Sequence, residues 1–256
     1  MTPSNDDDRD PDADRGAPTS PANETDGPAE TGSEAAGRPQ YPEILDWLVP
    51  IVLVVIGLAI VVGGAGLLAG ADRTLIREMV REGTIQSDTF TGPDLVDVTY
   101  ATAWWSGIGL LVTGVTVWLA AVWFYVVRRR ERDLEAEGGR PSYVWSNAIV
   151  GAVASIVLSF VPFSQALGGA IAGYLQRGDR DTNLKIGGLS GLLTGLPIAL
   201  AVVFVFGGLI DGTLGVEDGN WAFLFVGILV FTVVFTLLFV AVVGAIGGWI
   251  GGRLAS

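Results

Sequence analysis

Residues 221–252 read WAFLFVGILVFTVVFTLLFVAVVGAIGGWIGG, a run without a single charged side chain. An α-helix rises ~1.5 Å per residue, so about 20 apolar residues cross the ~30 Å hydrocarbon core of a bilayer. Inside that core a backbone polar group finds no water, and the run must be helical wherever it contacts lipid. The stretch therefore predicts a membrane-spanning helix.

Other apolar runs precede this one along the chain. Residues 44–69 and 100–127 exceed the spanning length, and residues 143–161 and 186–210 reach it or nearly do. Residues 162–175 form a shorter apolar stretch, which is either a thin sixth crossing or a re-entrant hairpin. The sequence predicts an all-α, polytopic helical membrane protein with about six membrane segments, a pair followed by four.

The distribution of basic residues favours the sixth crossing. If residues 162–175 cross and the N-terminus is cytoplasmic, ten Lys and Arg lie at the inner ends of the segments and three at the outer ends. If they do not cross, the later connections change sides and the counts become six and seven. Because Lys and Arg accumulate in cytoplasmic connections, we expect six crossings of the cell membrane with both termini cytoplasmic.

Charge and hydropathy divide the chain into four parts. Residues 1–42 hold seven of the twelve Pro, ten Asp or Glu and three Arg, and a segment so poor in apolar side chains is typical of disorder. We expect a disordered acidic cytoplasmic tail there, followed by a first transmembrane hairpin at 43–127 with an outer loop at 71–99. A basic cytoplasmic linker at 128–142 then leads to a Gly-rich, four-segment membrane domain at 143–254.

The residue inventory argues against catalysis. The chain has neither Cys nor His, which excludes disulfides, thiol chemistry and metal sites built from these ligands. Asp46 is the only ionisable residue inside the apolar runs, and its position beside Trp47 fits the membrane interface. We expect no enzyme activity and therefore no catalytic residue, no cofactor, no metal and no nucleic-acid partner.

Four arginines follow closely after the second apolar run. Arg128, Arg129, Arg130 and Arg132 are candidate contacts for anionic lipid headgroups. The same run also has the composition of an ordinary basic flank that fixes the orientation of a helix, diluted here by four acids. The sequence leaves both interpretations open.

Glycine recurs at helical spacing in the last part of the chain. Residues 143–252 contain 20 Gly, and the pairs spaced at i and i+4 are about twice as many as random placement gives, a spacing that lets membrane helices approach closely. We expect such packing within the chain, in a homo-oligomer or against another membrane protein. The glycines predicted to pack helices are Gly169, Gly173, Gly187, Gly191, Gly195, Gly244, Gly248 and Gly252.

Five segments of this region form a recognisable set: SFVPFS at 159–164, LGGAIAGY at 167–174, and residues 147–153, 178–180 and 189–197. Together they resemble one known family, of uncharacterised haloarchaeal multi-pass membrane proteins with a domain of unknown function. The resemblance covers about residues 143–252, implies about four hydrophobic segments, and brings no activity, ligand or site residue. Lys185 is the single lysine among fifteen basic residues. This scarcity of lysine is similar to the composition of proteins from salt-in halophiles.

These patterns predict a non-enzymatic integral membrane protein that acts as a structural, oligomeric or partner-binding module. The alternative is a passive channel or small-solute permease, which the density of glycine and the helix-kinking Pro50 and Pro197 favour. An ion-driven transporter normally carries an ionisable residue at mid-membrane, and the apolar runs have none at that depth.

Overall fold

The computed structural model describes residues 43–139, 141–214, 216 and 221–255. Within these residues the chain forms seven α-helices and no β-strand. The helices are α1 (Glu43–Gly70), α2 (Arg73–Arg81), α3 (Gly92–Ala136), α4 (Val144–Val157), α5 (Ser164–Gln176), α6 (Arg180–Thr213) and α7 (Trp221–Leu254). The predicted acidic tail at 1–42 lies outside the described residues.

Four helices, α1, α3, α6 and α7, are long and apolar enough to cross a membrane. They have 28, 45, 34 and 34 residues, more than the ~20 that a bilayer requires. The all-helical architecture agrees with the sequence prediction. The six predicted crossings are shown only in part, because the other two segments of the described chain are shorter helices.

Those two segments, α4 and α5, form a short hairpin. They have 14 and 13 residues, so each is about 20 Å long and falls short of the ~30 Å hydrocarbon core. The apolar run predicted to continue to residue 161 leaves the helix at Val157, because residues 158–163 turn back toward α5. Phe163 closes the turn with φ at +61°. Hydropathy does not detect this turn, since Leu, Phe and Val occupy much of it.

The hairpin is antiparallel, with both of its ends on one side. Asn147 Nδ2, near the start of α4, donates to Gln176 Oε1 at the end of α5, over 2.8 Å. Asn183 in the first turn of α6 then joins the connection between α5 and α6, donating to the Gly178 carbonyl (2.8 Å) and accepting from its N–H (3.2 Å). The start of α4, the end of α5 and the start of α6 therefore meet at one end of the bundle.

The long helices pack side by side in the order α1, α3, α6, α7. The hairpin lies against this row, with α4 in contact with α1, α3 and α6, and α5 in contact with α6 and α7. Along α7, α5 reaches only the C-terminal part, where Ala166 and Ala170 meet Gly247 and Gly251. The hairpin thus covers one end of the row and leaves the other end to the four long helices.

One end of the bundle carries most of the positive charge. We call it the basic end: it contains the C-terminal part of α3, the N-termini of α1, α4 and α6, and the C-termini of α5 and α7. Its described basic residues are Arg128, Arg129, Arg130, Arg132, Arg177, Arg180, Lys185 and Arg253.

The opposite end contains α2 and the start of α3. The segment predicted as an outer loop at 71–99 includes all of α2, and α3 begins at Gly92, where Pro93 supplies a fixed φ for the first turn. Asp72 caps α2, and hydrogen bonds from the Thr74 side chain and from the Thr74 and Leu75 backbone lower the pKa of its carboxyl. At the basic end, Asp179 caps α6 in the same way, and its hydrogen bonds with Thr182 lower the pKa of its carboxyl.

Candidate functional site

A glycine core joins α5, α6 and α7. A methyl group added to Gly169 or Gly173 of α5 would overlap the backbone of Gly244 or Gly248 on α7. The other face of the same two α7 residues lies against α6 in equally close contact. The three helices therefore touch backbone to backbone, an approach that small residues permit and that leaves no room for a Cβ at these glycines. The glycine core consists of Gly169, Gly173, Gly187, Gly191, Gly244 and Gly248.

The remaining two predicted packing glycines have other neighbours. An added Cβ on Gly195 of α6 would come within 2.6 Å of Val240 Cγ2, so this glycine faces a side chain of α7. Gly252 lies against the side chain of Asn183, near the start of α6. Both contribute to the α6–α7 contact, but neither faces a glycine.

An ion-pair network joins α1, α3 and α4 at the basic end. Arg128 Nε donates to Asp46 Oδ1 over 2.7 Å, and Arg128 Nη1 donates to Glu131 Oε2 over 2.9 Å. The other carboxylate oxygen of Glu131 accepts from Ser146 Oγ over 3.0 Å. The Arg128, Asp46 and Glu131 side chains are each only 6–7% exposed. Buried charges of this kind are stable only when they are paired and hydrogen-bonded, as they are here.

Arg132 completes the network from the surface. It is 55% exposed and pairs with Asp46 Oδ2, so each carboxylate oxygen of Asp46 has an arginine partner. Glu131 lies beyond the apolar part of α3; burial raises its pKa above the ordinary value, although hydrogen bonds from Arg128 and Ser146 act in the opposite direction. The guanidinium of Arg128 also lies 5.8 Å from the Tyr143 ring, within cation–π range.

The four arginines predicted as headgroup contacts are placed differently from one another. Arg128 is buried in the network, whereas Arg129, Arg130 and Arg132 are exposed. Sequence reasoning assigned Asp46 to the membrane interface and missed its partners. One signal pointed to them: the only carboxylate in an apolar run requires a nearby cation, and the first arginine after the second run stands at the same predicted depth.

A cavity of about 260 Å³ adjoins the network. Three kinds of side chain line it: the aromatic Trp47 and Tyr125, the acidic Asp46 and Asp133, and three arginines. The arginines are Arg128, Arg129 and Arg132. Arg130 does not line it. In the described part of the chain no group of three or more Asp and Glu is arranged to hold a metal ion.

The polar residues of the hairpin and of the part of α6 beside it bond mainly within and between helices. Ser155 and Thr194 donate to carbonyls one turn earlier in their own helices, over 3.1 Å and 3.0 Å. Asn147 binds across the hairpin to Gln176. These are structural roles, of the kind that hydroxyl and amide groups have in membrane helices.

Residues 145–254 match the model of a family of unknown function, DUF5518. They form a DUF5518 domain. The match begins in the first turn of α4 and ends at the last residue of α7, so the domain contains the hairpin, the glycine core and less than half of the chain. No curated protein and no solved structure matches the chain. The network and its cavity combine α1 and α3, which lie outside the DUF5518 domain, with Ser146, which lies inside it.

Proposed function

We propose that the protein crosses the cell membrane four times, with the α4–α5 hairpin re-entering from the cytoplasmic side and both termini cytoplasmic. The support is the basic end, where the hairpin has both of its ends. A hairpin that re-enters as a whole keeps the later connections on their original sides. The ten-to-three excess of basic residues on one side therefore holds without a sixth crossing.

Within this membrane arrangement, the proposed role is that of a non-enzymatic structural module that binds a partner or a second copy of itself. The glycine core carries this proposal, since backbone contacts among α5, α6 and α7 fill the space that a solute path between these helices requires. Such contacts give a rigid unit with two edge helices, α1 and α7, and the described apolar side chains of these two helices are largely exposed.

A leucine at Gly191 tests the role of the core. The added side chain would meet the Val240 carbonyl and Ala241, so α6 and α7 must separate. In size-exclusion chromatography in detergent, we therefore expect the peak of the folded, assembled protein to disappear. Gly207→Leu is the matched control, because this glycine of α6 has no neighbour within 4 Å of an added Cβ. An unchanged Gly191→Leu protein would contradict the structural role.

A passive permease is the second candidate, and one observation favours it. A groove of about 380 Å³ lies between α1, α3 and α6, beside Pro197 and Thr113. Seen from the basic end, it lies beyond the turn of the hairpin. Its lining is almost wholly apolar, so it would suit an apolar solute or a lipid chain. Proteoliposomes distinguish the candidates: the structural module gives no solute flux, whereas flux that Gly191→Leu abolishes would favour the permease.

The origin of the protein is part of the same proposal. A net charge of −12 and one lysine among fifteen basic residues support a haloarchaeal source, where acidic groups keep exposed segments hydrated. The resemblance of about residues 143–252 to haloarchaeal multi-pass proteins agrees with this source.

A further inference from the structure

The cavity beside the ion-pair network lies where a membrane surface would be. Trp47 is 73% exposed and Tyr125 is 55% exposed, and aromatic side chains of this kind concentrate at the boundary between lipid and water. The apolar part of α1 begins directly after Trp47, and that of α3 ends directly before Arg128. An occupant of the cavity would therefore reach both the headgroup layer and the first carbons of the acyl chains.

The charged side chains around the cavity differ in whether they already have ion-pair partners within the protein. Both oxygens of Asp46 are already bound by Arg128 and Arg132, so this carboxylate is neutralised within the protein. Arg129 makes no ion pair and no side-chain hydrogen bond in the described part of the chain, including with Asp133 one turn away. Arg132 uses only one nitrogen for Asp46, and a guanidinium has five N–H donors. The cavity thus offers donors on two arginines to an anion.

We propose that this cavity binds a phosphate group, either in the headgroup of a membrane phospholipid or as free phosphate. The planar donors of Arg129 and Arg132 match phosphate oxygens, which arginine binds in pairs of parallel hydrogen bonds. The Asp46 carboxylate holds Arg132 beside the site. It also lies between the guanidinium groups of Arg132 and Arg128, since each of its oxygens pairs with one of them. At about 260 Å³, the cavity holds a headgroup but is smaller than the ~300–1,000 Å³ typical of pockets for whole drug-sized ligands.

Equilibrium binding to the full chain in a neutral detergent, measured by calorimetry, tests the site. The probes are a short-chain phosphatidylglycerol, the diacylglycerol with the same chains, and inorganic phosphate. We expect saturable binding of phosphatidylglycerol and none of the diacylglycerol. Arg129→Gln should weaken the binding about tenfold, as expected for the loss of a charged hydrogen-bond donor.

Arg130→Gln is the matched control, because Arg130 is an exposed neighbour on the same helix that does not line the cavity. Its affinity for phosphatidylglycerol should equal that of the unchanged protein. Arg129→Gln breaks no ion pair of the described residues, so its unfolding without ligand should also be unchanged.

The remaining probe and one further variant separate the two sources of phosphate. If inorganic phosphate binds as tightly as phosphatidylglycerol, the ligand is free phosphate; if only phosphatidylglycerol binds, it is a lipid, and Trp47→Ala should then weaken it. Equal losses in Arg129→Gln and Arg130→Gln, or no saturable binding of either phosphate compound, would overturn the proposal. The site rests on the proposed membrane placement, but its failure would leave the Gly191→Leu result untouched.

Discussion

At the scale of single residues, Asp46 is the residue of α1 that connects this helix to α3. Its carboxylate binds two arginines, one buried and one at the surface, and so fastens the first turns of α1 to the polar extension of α3. Glu131 and Ser146 extend the same connection to α4. A buried pair is not by itself strong evidence of stability, but the removal of one partner leaves the other charge uncompensated.

Asp46→Asn should therefore destabilise the protein. The amide cannot form an ion pair with Arg128 or Arg132, although Glu131 still pairs with Arg128. We therefore expect a loss of about 2 kcal/mol in the free energy of unfolding, less than the ~3–5 kcal/mol typical of a buried charge left wholly without a partner. Titration with a denaturing detergent, followed by circular dichroism, measures it. Asp133→Asn is the control, since Asp133 is exposed and makes no ion pair in the described residues. Equal effects of the two changes would show that the network adds nothing specific.

The sequence could single out Asp46 but could not identify its partners. Its isolation in an apolar run is visible in the sequence alone, and so is the arginine run in the last part of α3. Which arginine turns inward depends on the rotation of α3 against α1 and on the position of Ser146, and both follow from packing. For the same reason the four arginines formed one group in the sequence, while the structure separates Arg128 from Arg130.

At the scale of elements, α7 shows what glycine spacing can and cannot predict. The spacing of Gly244, Gly248 and Gly252 marks one face of a helix, and periodicity alone is enough for that. The partners of this face come from three-dimensional packing: Gly244 and Gly248 lie between α5 and α6, whereas Gly252 faces Asn183. Gly247 and Gly251, one position away from this spacing, also contact α5 closely.

Two glycines of α7 provide a matched test of these contacts. A methyl group at Gly248 would overlap the backbone at Asn183 and Gly187, so Gly248→Ala should cost about 1–3 kcal/mol, the usual range for overpacking. Gly227→Ala meets no atom within 4 Å and should be neutral or slightly stabilising, because alanine favours helix. Free energies of unfolding in detergent measure both. A Gly248→Ala protein as stable as Gly227→Ala would contradict the close approach of α6 and α7.

The hairpin marks the limit of hydropathy as a guide to elements. Residues 143–161 read as one apolar run, but α4 ends at Val157 and the chain reverses through residues 158–163. Phe160 and Phe163 in this turn are 80% and 69% exposed, which is compatible with contact with lipid. A turn built from apolar residues has no polar signature, so the sequence predicted a longer helix than the structure contains.

At the scale of the whole molecule, the proposed layout makes the location of the hairpin turn decisive. A re-entrant hairpin places residue 159 inside the membrane, whereas a pair of complete crossings places it at the outer surface. The two arrangements give the same side for every other connection. Only the turn itself distinguishes them.

The chain contains no cysteine, so single cysteines can report on each position without background. With a membrane-impermeant maleimide added outside intact cells, we expect Thr84→Cys in the α2–α3 connection to react. Ser159→Cys in the turn should not react, because it lies in lipid, and Ser142→Cys at the basic end should react only after permeabilisation. External labelling of Ser159→Cys would show that α4 and α5 cross the membrane completely.

The partial depth of the hairpin has a consequence for the surrounding lipid. At the basic end the membrane-embedded cross-section contains six helices, each ~10 Å across, and at the opposite end it contains only α1, α3, α6 and α7. Inserted as proposed, the described helices displace more area from the inner leaflet than from the outer one and so act as a wedge. Such a wedge favours a bilayer bent so that its cytoplasmic surface is convex, and a set of copies gathered at one place would add their bending preferences together.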